Sequence, residues 1–316
     1  MRSQVVELQR PATRIEELVR FVDTHDGARL WTRSLGVAGR PTIVLLDGLG
    51  CDGYVWKYIL EWFAPSYRIV HWHYRGHGKS DAPRSFDDVS LDEVMRDLVT
   101  VLDETGVDRA ILMGHSMGVQ VALEAFARHR ERVAGLVLLF GSYEHPIDSW
   151  HGAPTKNDGM RASNLAMRAG FGTLSRQMTK HGHLITPLWR RVIETHAAYE
   201  IATRTEVDGQ KLARKDFAPY LTHLANMDPR VFFAFARALS RHSAKDVLSR
   251  IDVPTLVVGG GRDTFTPLWR STEMGHRIPA SDLLLIDDAT HSGPLEHPTR
   301  INERIARHLR THGARF

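Results

Sequence analysis

Three residues far apart in the chain are of the types that make a nucleophile, a base and an acid. Ser116 lies in Gly114-His115-Ser116-Met117-Gly118, a G-x-S-x-G run. An apolar stretch that predicts a strand comes directly before it, and a stretch with helical spacing directly after. In that context the chain must turn sharply, and the flanking glycines leave room for the turn. The hydroxyl is then held out of the sheet at a helix N-terminus, whose dipole favours developing negative charge.

A serine hydroxyl attacks well only when a base removes its proton and a carboxylate orients that base. His291 sits in the loop 287–294, just past a predicted strand at 283–286. Asp263 follows a predicted strand at 255–258 through Gly259-Gly260-Gly261-Arg262. Both therefore fall beyond strand C-terminal ends, the sheet edge where α/β sites gather. The order Ser116, Asp263, His291 matches the Ser…Asp…His order of one class of triad. Glu144 and Asp148, after the strand ending near Phe140, compete for the acid position. Asp287 and Asp288 share the loop of His291 and would have to fold back to reach it.

A tetrahedral oxyanion needs two backbone N–H donors. Met117, the residue after the nucleophile, is one candidate. The other is Leu49, in the loop Asp47-Gly48-Leu49-Gly50-Cys51. Cys51 has no second cysteine to pair with and is expected to be a buried structural residue.

The elements that must position these groups alternate. Residues 18–23 and 28–34 predict two strands joined at Asp26-Gly27, a hairpin signal. Residues 42–46 (TIVLL) predict a strand buried on both faces. A helix at 54–63 and a strand at 67–72 follow, and then an amphipathic helix at 91–104 with Ser90 as N-cap. Strand 110–113, helix 118–130 and strand 133–140 continue the pattern. The last third repeats it with strand 255–258, a helix near 269–277, strand 283–286 and helix 300–311. Such alternation predicts a parallel sheet covered by helices on both faces, with the antiparallel hairpin at one edge. Between about 144 and 246 it breaks into helical, aromatic sequence without a buried strand, which predicts a cap over the strand ends. The expected layout is core 1–143, helical cap 144–228 and core 229–316. Trp150 and Trp189, in the cap segment, are expected to touch substrate.

Taken together, these motifs resemble the α/β-hydrolase fold family over nearly the whole chain. Tyr74-Arg75-Gly76-His77-Gly78-Lys79-Ser80 is similar to the family's R-G-x-G-x-S segment. Ile251-Asp252-Val253-Pro254-Thr255-Leu256 resembles its I-x-x-P-T-L entry to the acid strand, and Gly293-Pro294-Leu295-Glu296-His297-Pro298 what commonly follows its histidine. One departure stands out: the family has His-Gly at the oxyanion loop, where this chain has Asp47-Gly48. The resemblance implies a mostly parallel eight-stranded sheet with a helical cap, and a serine carboxylesterase working through an acyl-enzyme. It implies a small ester with an apolar moiety as substrate, and no cofactor or metal. Lactonase, carbon–carbon bond hydrolase and perhydrolase chemistry use the same triad, and a non-catalytic ligand receptor could keep the same fold. Serine at position 116 argues against dehalogenase and epoxide-hydrolase chemistry, whose nucleophile is Asp.

His71-x-His73-x-x-x-His77 could in principle gather at a metal, as alternate strand positions share a face. It lacks the Asp of the H-x-H-x-D-H run, and His181-x-His183 lacks a third ligand. Charge excludes little beyond this. The 41 Lys and Arg against 37 Asp and Glu are spread without a run of like charges, which disfavours nucleic-acid binding. Residues 1–20 mix charges without an apolar core, and no window is apolar enough for a membrane span. A cytoplasmic protein is the expectation.

Overall fold

The computed structural model describes residues 15–86, 89–145, 158–196, 199–200, 207–313 and 316. Eight strands form one sheet in the order β1-β2-β4-β3-β5-β6-β7-β8. They are β1 Glu16–Asp23, β2 Arg29–Gly36, β3 Thr42–Leu46, β4 Arg68–Trp72, β5 Ala110–His115, β6 Val133–Leu139, β7 Thr255–Gly260 and β8 Asp282–Ile286. β1 pairs antiparallel with β2, and β2 antiparallel with β4; every other neighbouring pair is parallel. The hairpin thus closes one edge, as its Asp26-Gly27 turn predicts, and Gly27 takes a positive φ of 82° there.

The short apolar strands are buried on both faces because period-two alternation sends successive residues to opposite sides. Val44, Leu46, Leu112, Leu136, Leu138 and Val257 pack to one side against the helices Leu91–Glu104 (α2) and Met117–Arg128 (α3). Ile43, Leu45, Met113, Val137, Leu139 and Val258 pack to the other. Their partners there are Lys57–Phe63 (α1) and the last helix, Pro298–Thr311, through Ile301, Ile305 and Leu309. In α2 the Ser90 side chain accepts from the Glu93 N–H, and Asp92 and Glu93 face the positive end of the helix.

At their C-terminal ends, next to the candidate site, β5 and β7 run further than the sequence predicts. β5 continues through Gly114 and His115, and β7 through Gly259 and Gly260. Glycine's low strand propensity is overridden because these positions need closeness. A Cβ on Gly114 would stand 2.3 Å from the Gly118 carbonyl oxygen, so α3 can start directly against the strand end.

Between β6 and β7 the described residues hold helices and one isolated bridge, Glu144 with Ser243. The helices are α4 Asp158–His181, α5 Thr186–Ile193, α6 Arg214–Asn226, α7 Pro229–Arg241 and α8 Lys245–Leu248. No helix among the described residues is long and apolar enough to cross a membrane.

Candidate active site

Ser116 stands between β5 and α3 with φ 56° and ψ −116°, a region that a non-glycine residue enters only under constraint. The constraint is visible on both sides. Its N–H donates to the Leu139 carbonyl of β6 at 3.0 Å, and its carbonyl accepts from Val119 at 3.1 Å. Gly118 makes the turn possible, since a Cβ there would sit 1.9 Å from the Leu46 carbonyl oxygen.

Ser116 Oγ lies 2.9 Å from His291 Nε2, and His291 Nδ1 lies 2.9 Å from Asp263 Oδ2. With Nδ1–H donating to the carboxylate, Nε2 is left to accept from the serine hydroxyl. The Asp263 carboxylate is wholly buried and takes three further donors. Phe265 N–H (2.9 Å) and Thr266 N–H (2.8 Å) reach Oδ1, and the Thr266 hydroxyl (2.7 Å) reaches Oδ2. Those bonds fix the position and orientation of the acid.

The loop carrying His291 is held from two sides. His115 Nε2–H donates to the His291 carbonyl at 2.9 Å. Glu296 accepts from the Thr290 N–H at 2.9 Å, from the Thr290 hydroxyl, and from the Asp208 N–H at 2.7 Å. His115 and Glu296 have no role in the sequence analysis: His115 acts on a carbonyl 176 residues away, and Glu296 ties the Thr290 end of the loop to Asp208, 88 residues away. Burial, and then the facing His291, push His115 down to about 4, so this bracing ring stays neutral.

Two of the competing acids are engaged elsewhere. Glu144 pairs with Arg270 at 3.1 Å and accepts from the Ser243 hydroxyl. Asp288 pairs with Lys211 at 2.6 Å. Asp148 and Trp150 lie outside the described residues.

Leu49 and Met117 line one cavity of about 390 Å³ together with Ser116 and His291. Met117 is the first residue of α3, where an amide has no intrahelical acceptor. The Leu49 loop is fastened by a network built around the residue that departs from the family pattern. Asp47, fully buried, accepts from His71 Nε2–H at 2.9 Å and from the Trp56 indole N–H at 2.5 Å. Burial alone would push the Asp47 carboxyl up. The His71 ring against it, helped by His73 and Trp56, instead holds it below the usual carboxylate range. His77 adds a second tie, its Nδ1–H donating to the Arg75 carbonyl (3.1 Å) while Nε2 accepts from the Gly50 N–H (3.2 Å). Burial pushes His77 down to about 4, which keeps Nε2 free to accept. Arg75 is itself locked by a bidentate pair with the buried Asp97, at 2.7 and 2.8 Å.

His71 and His73 do share a face, their ring centroids 5.1 Å apart, and with Asp47 they come close enough to hold a metal ion by distance. Their donors are already used, however. His73 Nδ1 accepts from the Lys79 N–H at 3.0 Å, and Nε2–H donates to the Asp52 carbonyl at 3.2 Å. His181 and His183 join no such cluster among the described residues. Cys51 is buried, with its thiol 3.6 Å from the Leu49 carbonyl oxygen.

The cavity is walled by Phe171 of α4, Tyr220 and Leu224 of α6, and Phe232 and Leu239 of α7. Trp189 is not in that wall. Its indole N–H donates to the Leu224 carbonyl at 2.8 Å, and its ring packs 5.6 Å from that of Phe232. The polar edge of the indole is thus spent on backbone, and Trp189 backs the wall instead of facing substrate space.

Residues 41–298 match the family described as the alpha/beta hydrolase fold. A putative carbamate hydrolase from Rhizobium rhizogenes is 26% identical over 271 residues, which are 85% of this chain and 92% of that protein. Epoxide hydrolase 3 of Xenopus tropicalis is 27% identical over 289 residues, 88% of this chain and 74% of that one. The solved structure of Est816, an N-acyl homoserine lactone degrading enzyme, matches with a TM-score of 0.66 at 26% identity, covering 91% of this chain and 99% of that one.

Proposed function

Because the chain belongs to the alpha/beta hydrolase fold family, whose model it matches over 41–298, we propose that it hydrolyses carboxylic esters through Ser116, His291 and Asp263. The observation that carries this is the unbroken hydrogen-bonded run from Ser116 Oγ through the His291 ring to the Asp263 carboxylate, with the serine at the wall of an apolar cavity. His291 Nε2 takes the hydroxyl proton as Oγ attacks the ester carbonyl. The N–H groups of Met117 and Leu49 stabilise the oxyanion, and imidazolium His291 gives its proton to the leaving alcohol. Water then enters by the same route, with His291 as base, and frees the acid from Ser116. Asp263 holds the ring in the required tautomer and stabilises its charged form.

Residues 144–228 act in this proposal as the cap, supplying Phe171, Tyr220 and Leu224 above Ser116, with α7 completing the wall. An apolar acyl or alcohol group suits such a lining. A lactone is an ester closed on itself and falls within the same chemistry, which the likeness to a lactone-degrading enzyme favours. The assay is hydrolysis of p-nitrophenyl esters from acetate to palmitate and of simple lactones, beside Ser116→Ala. Turnover that disappears in the variant is the expected result. A wild type that neither turns over any ester nor labels at Ser116 with a fluorophosphonate overturns the proposal in favour of a ligand-binding protein.

A further inference from the structure

Gln120 lies one helical turn beyond Ser116 on α3, lines the same cavity and is 1% exposed. Its Nε2 donates to the Leu239 carbonyl at 3.3 Å and to His242 Nδ1 at 2.9 Å. His242 donates in turn through Nε2–H to Glu124 Oε2 at 3.0 Å, which makes Nδ1 the unprotonated acceptor. The amide's orientation is therefore dictated, because both of its near partners accept. Oε1 is the end left over, and no described residue donates to it.

Ser240, on α7, also lines the cavity. Its hydroxyl donates to the Arg237 carbonyl at 2.8 Å and keeps its lone pairs. Nearby Ser142 has less to offer, since it donates to the Glu144 carbonyl and accepts from the Glu144 N–H. Two acceptors thus remain on a wall that is mostly apolar, built of Leu, Met and Phe side chains with Tyr220 and with Thr266, whose hydroxyl already donates to Asp263. A purely hydrocarbon occupant would desolvate them and satisfy neither.

We infer that Gln120 Oε1 and Ser240 Oγ form a hydrogen-bond-accepting subsite, and that the substrate carries a hydroxyl or amide N–H beside its apolar part. The inference rests on the cavity being the ester site proposed above. One turn of helix separates Gln120 from Ser116, about 6 Å along the axis, so the donor belongs a few atoms from the scissile carbonyl and not at the end of a long chain.

The test compares matched ester pairs by pH-stat. Ethyl 3-hydroxybutanoate, 3-hydroxyhexanoate and 6-hydroxyhexanoate are set against the esters lacking the hydroxyl. 4-Hydroxybutyl butanoate is set against butyl butanoate, and ethyl 6-acetamidohexanoate against ethyl hexanoate. The expected result is a kcat/KM preference of about tenfold for the donor-bearing member of at least one pair. Gln120→Met and Ser240→Ala should each shrink that ratio, whereas a purely structural role would lower both members alike. Ratios within twofold for every pair overturn the subsite, as does a ratio that neither variant moves. If the wild type turns over no ester and Ser116 resists the fluorophosphonate, the hydrolase proposal fails separately. The same pairs titrated into Ser116→Ala by calorimetry then decide the subsite, and equal affinity within every pair overturns it.

Discussion

Acid should unfold this protein well before its carboxylates titrate, because three buried histidines are built into it as neutral rings. His73, His77 and His115 are at most 4% exposed. Burial is the first cause that lowers each of them, to about 3, about 4 and about 4 respectively. Their hydrogen bonds add a local reason for two of them. His73 Nδ1 and His77 Nε2 each accept from a backbone N–H, so protonating either ring would set N–H against N–H. An unfolded histidine titrates near 6.5. The folded values lie below it, so protons favour the unfolded chain. Stability is full above about pH 6.5 and falls as the pH drops toward 4. Between pH 7.5 and 5.0, linkage gives about 2 kcal/mol for each ring, or about 6 kcal/mol for the three together. His223 and His308 shift the same way, also through burial first. The carboxylates held low, such as Asp26 beneath the hydrogen bond from the Arg75 guanidinium, lose their contribution only as the pH falls below about 3.8, outside this window. Urea unfolding at the two pH values measures the difference directly. His77→Gln should reduce it by about 2 kcal/mol, whatever the variant does to stability at pH 7.5. An unchanged midpoint at pH 5.0, or a variant that keeps the whole difference, refutes the reasoning.

Three further outcomes follow from the same geometry. Asp263→Asn should lower kcat roughly 10³- to 10⁴-fold with little change in KM, since the amide cannot enforce the tautomer; steady-state kinetics on a p-nitrophenyl ester checks this. Gly118→Ala places a methyl 1.9 Å from the Leu46 carbonyl oxygen and 3.0 Å from that of Asp47. It should cost about 1–3 kcal/mol in urea unfolding and abolish turnover, and wild-type activity would mean the turn has slack. Asp47→Asn sets an amide N–H against one of the two donors, His71 Nε2–H or Trp56 Nε1–H, that the buried carboxylate accepts from, so we expect a loss of about 1–3 kcal/mol and a lower kcat. Wild-type behaviour in both would show that Asp47 does not brace the proposed oxyanion loop.

Much of this fold is legible in sequence because its strands are short apolar runs and its turns carry Gly, Asp and Pro. Residues 42–46 and 91–104 form a strand and a helix with the bounds their patterns predict. The proposed triad is legible for a related reason: each member follows a strand in a loop with its own local signal, and the parallel sheet brings such loops to one edge. Trp189 shows where this stops. Aromatic content marks the cap segment as apolar, yet facing a cavity or backing its wall depends on a single hydrogen bond to Leu224, a residue 35 positions away.

The sequence by itself determined the alternation of strands and helices along the chain and narrowed the candidate serine, histidine and acid to a few positions. Those follow from periodicity and turn chemistry, which act over a few residues. Only the tertiary structure decided what replaces the histidine missing from the proposed oxyanion loop. Asp47, Trp56, His71 and His77 come from four separate segments and become one brace only when β3 and β4 lie side by side. The same holds for Gln120, whose free oxygen is defined by Leu239 and His242, more than a hundred residues away. Hydrogen bonds saturate and point, so their partners depend on where every neighbour ends up, and no local pattern in the chain encodes that.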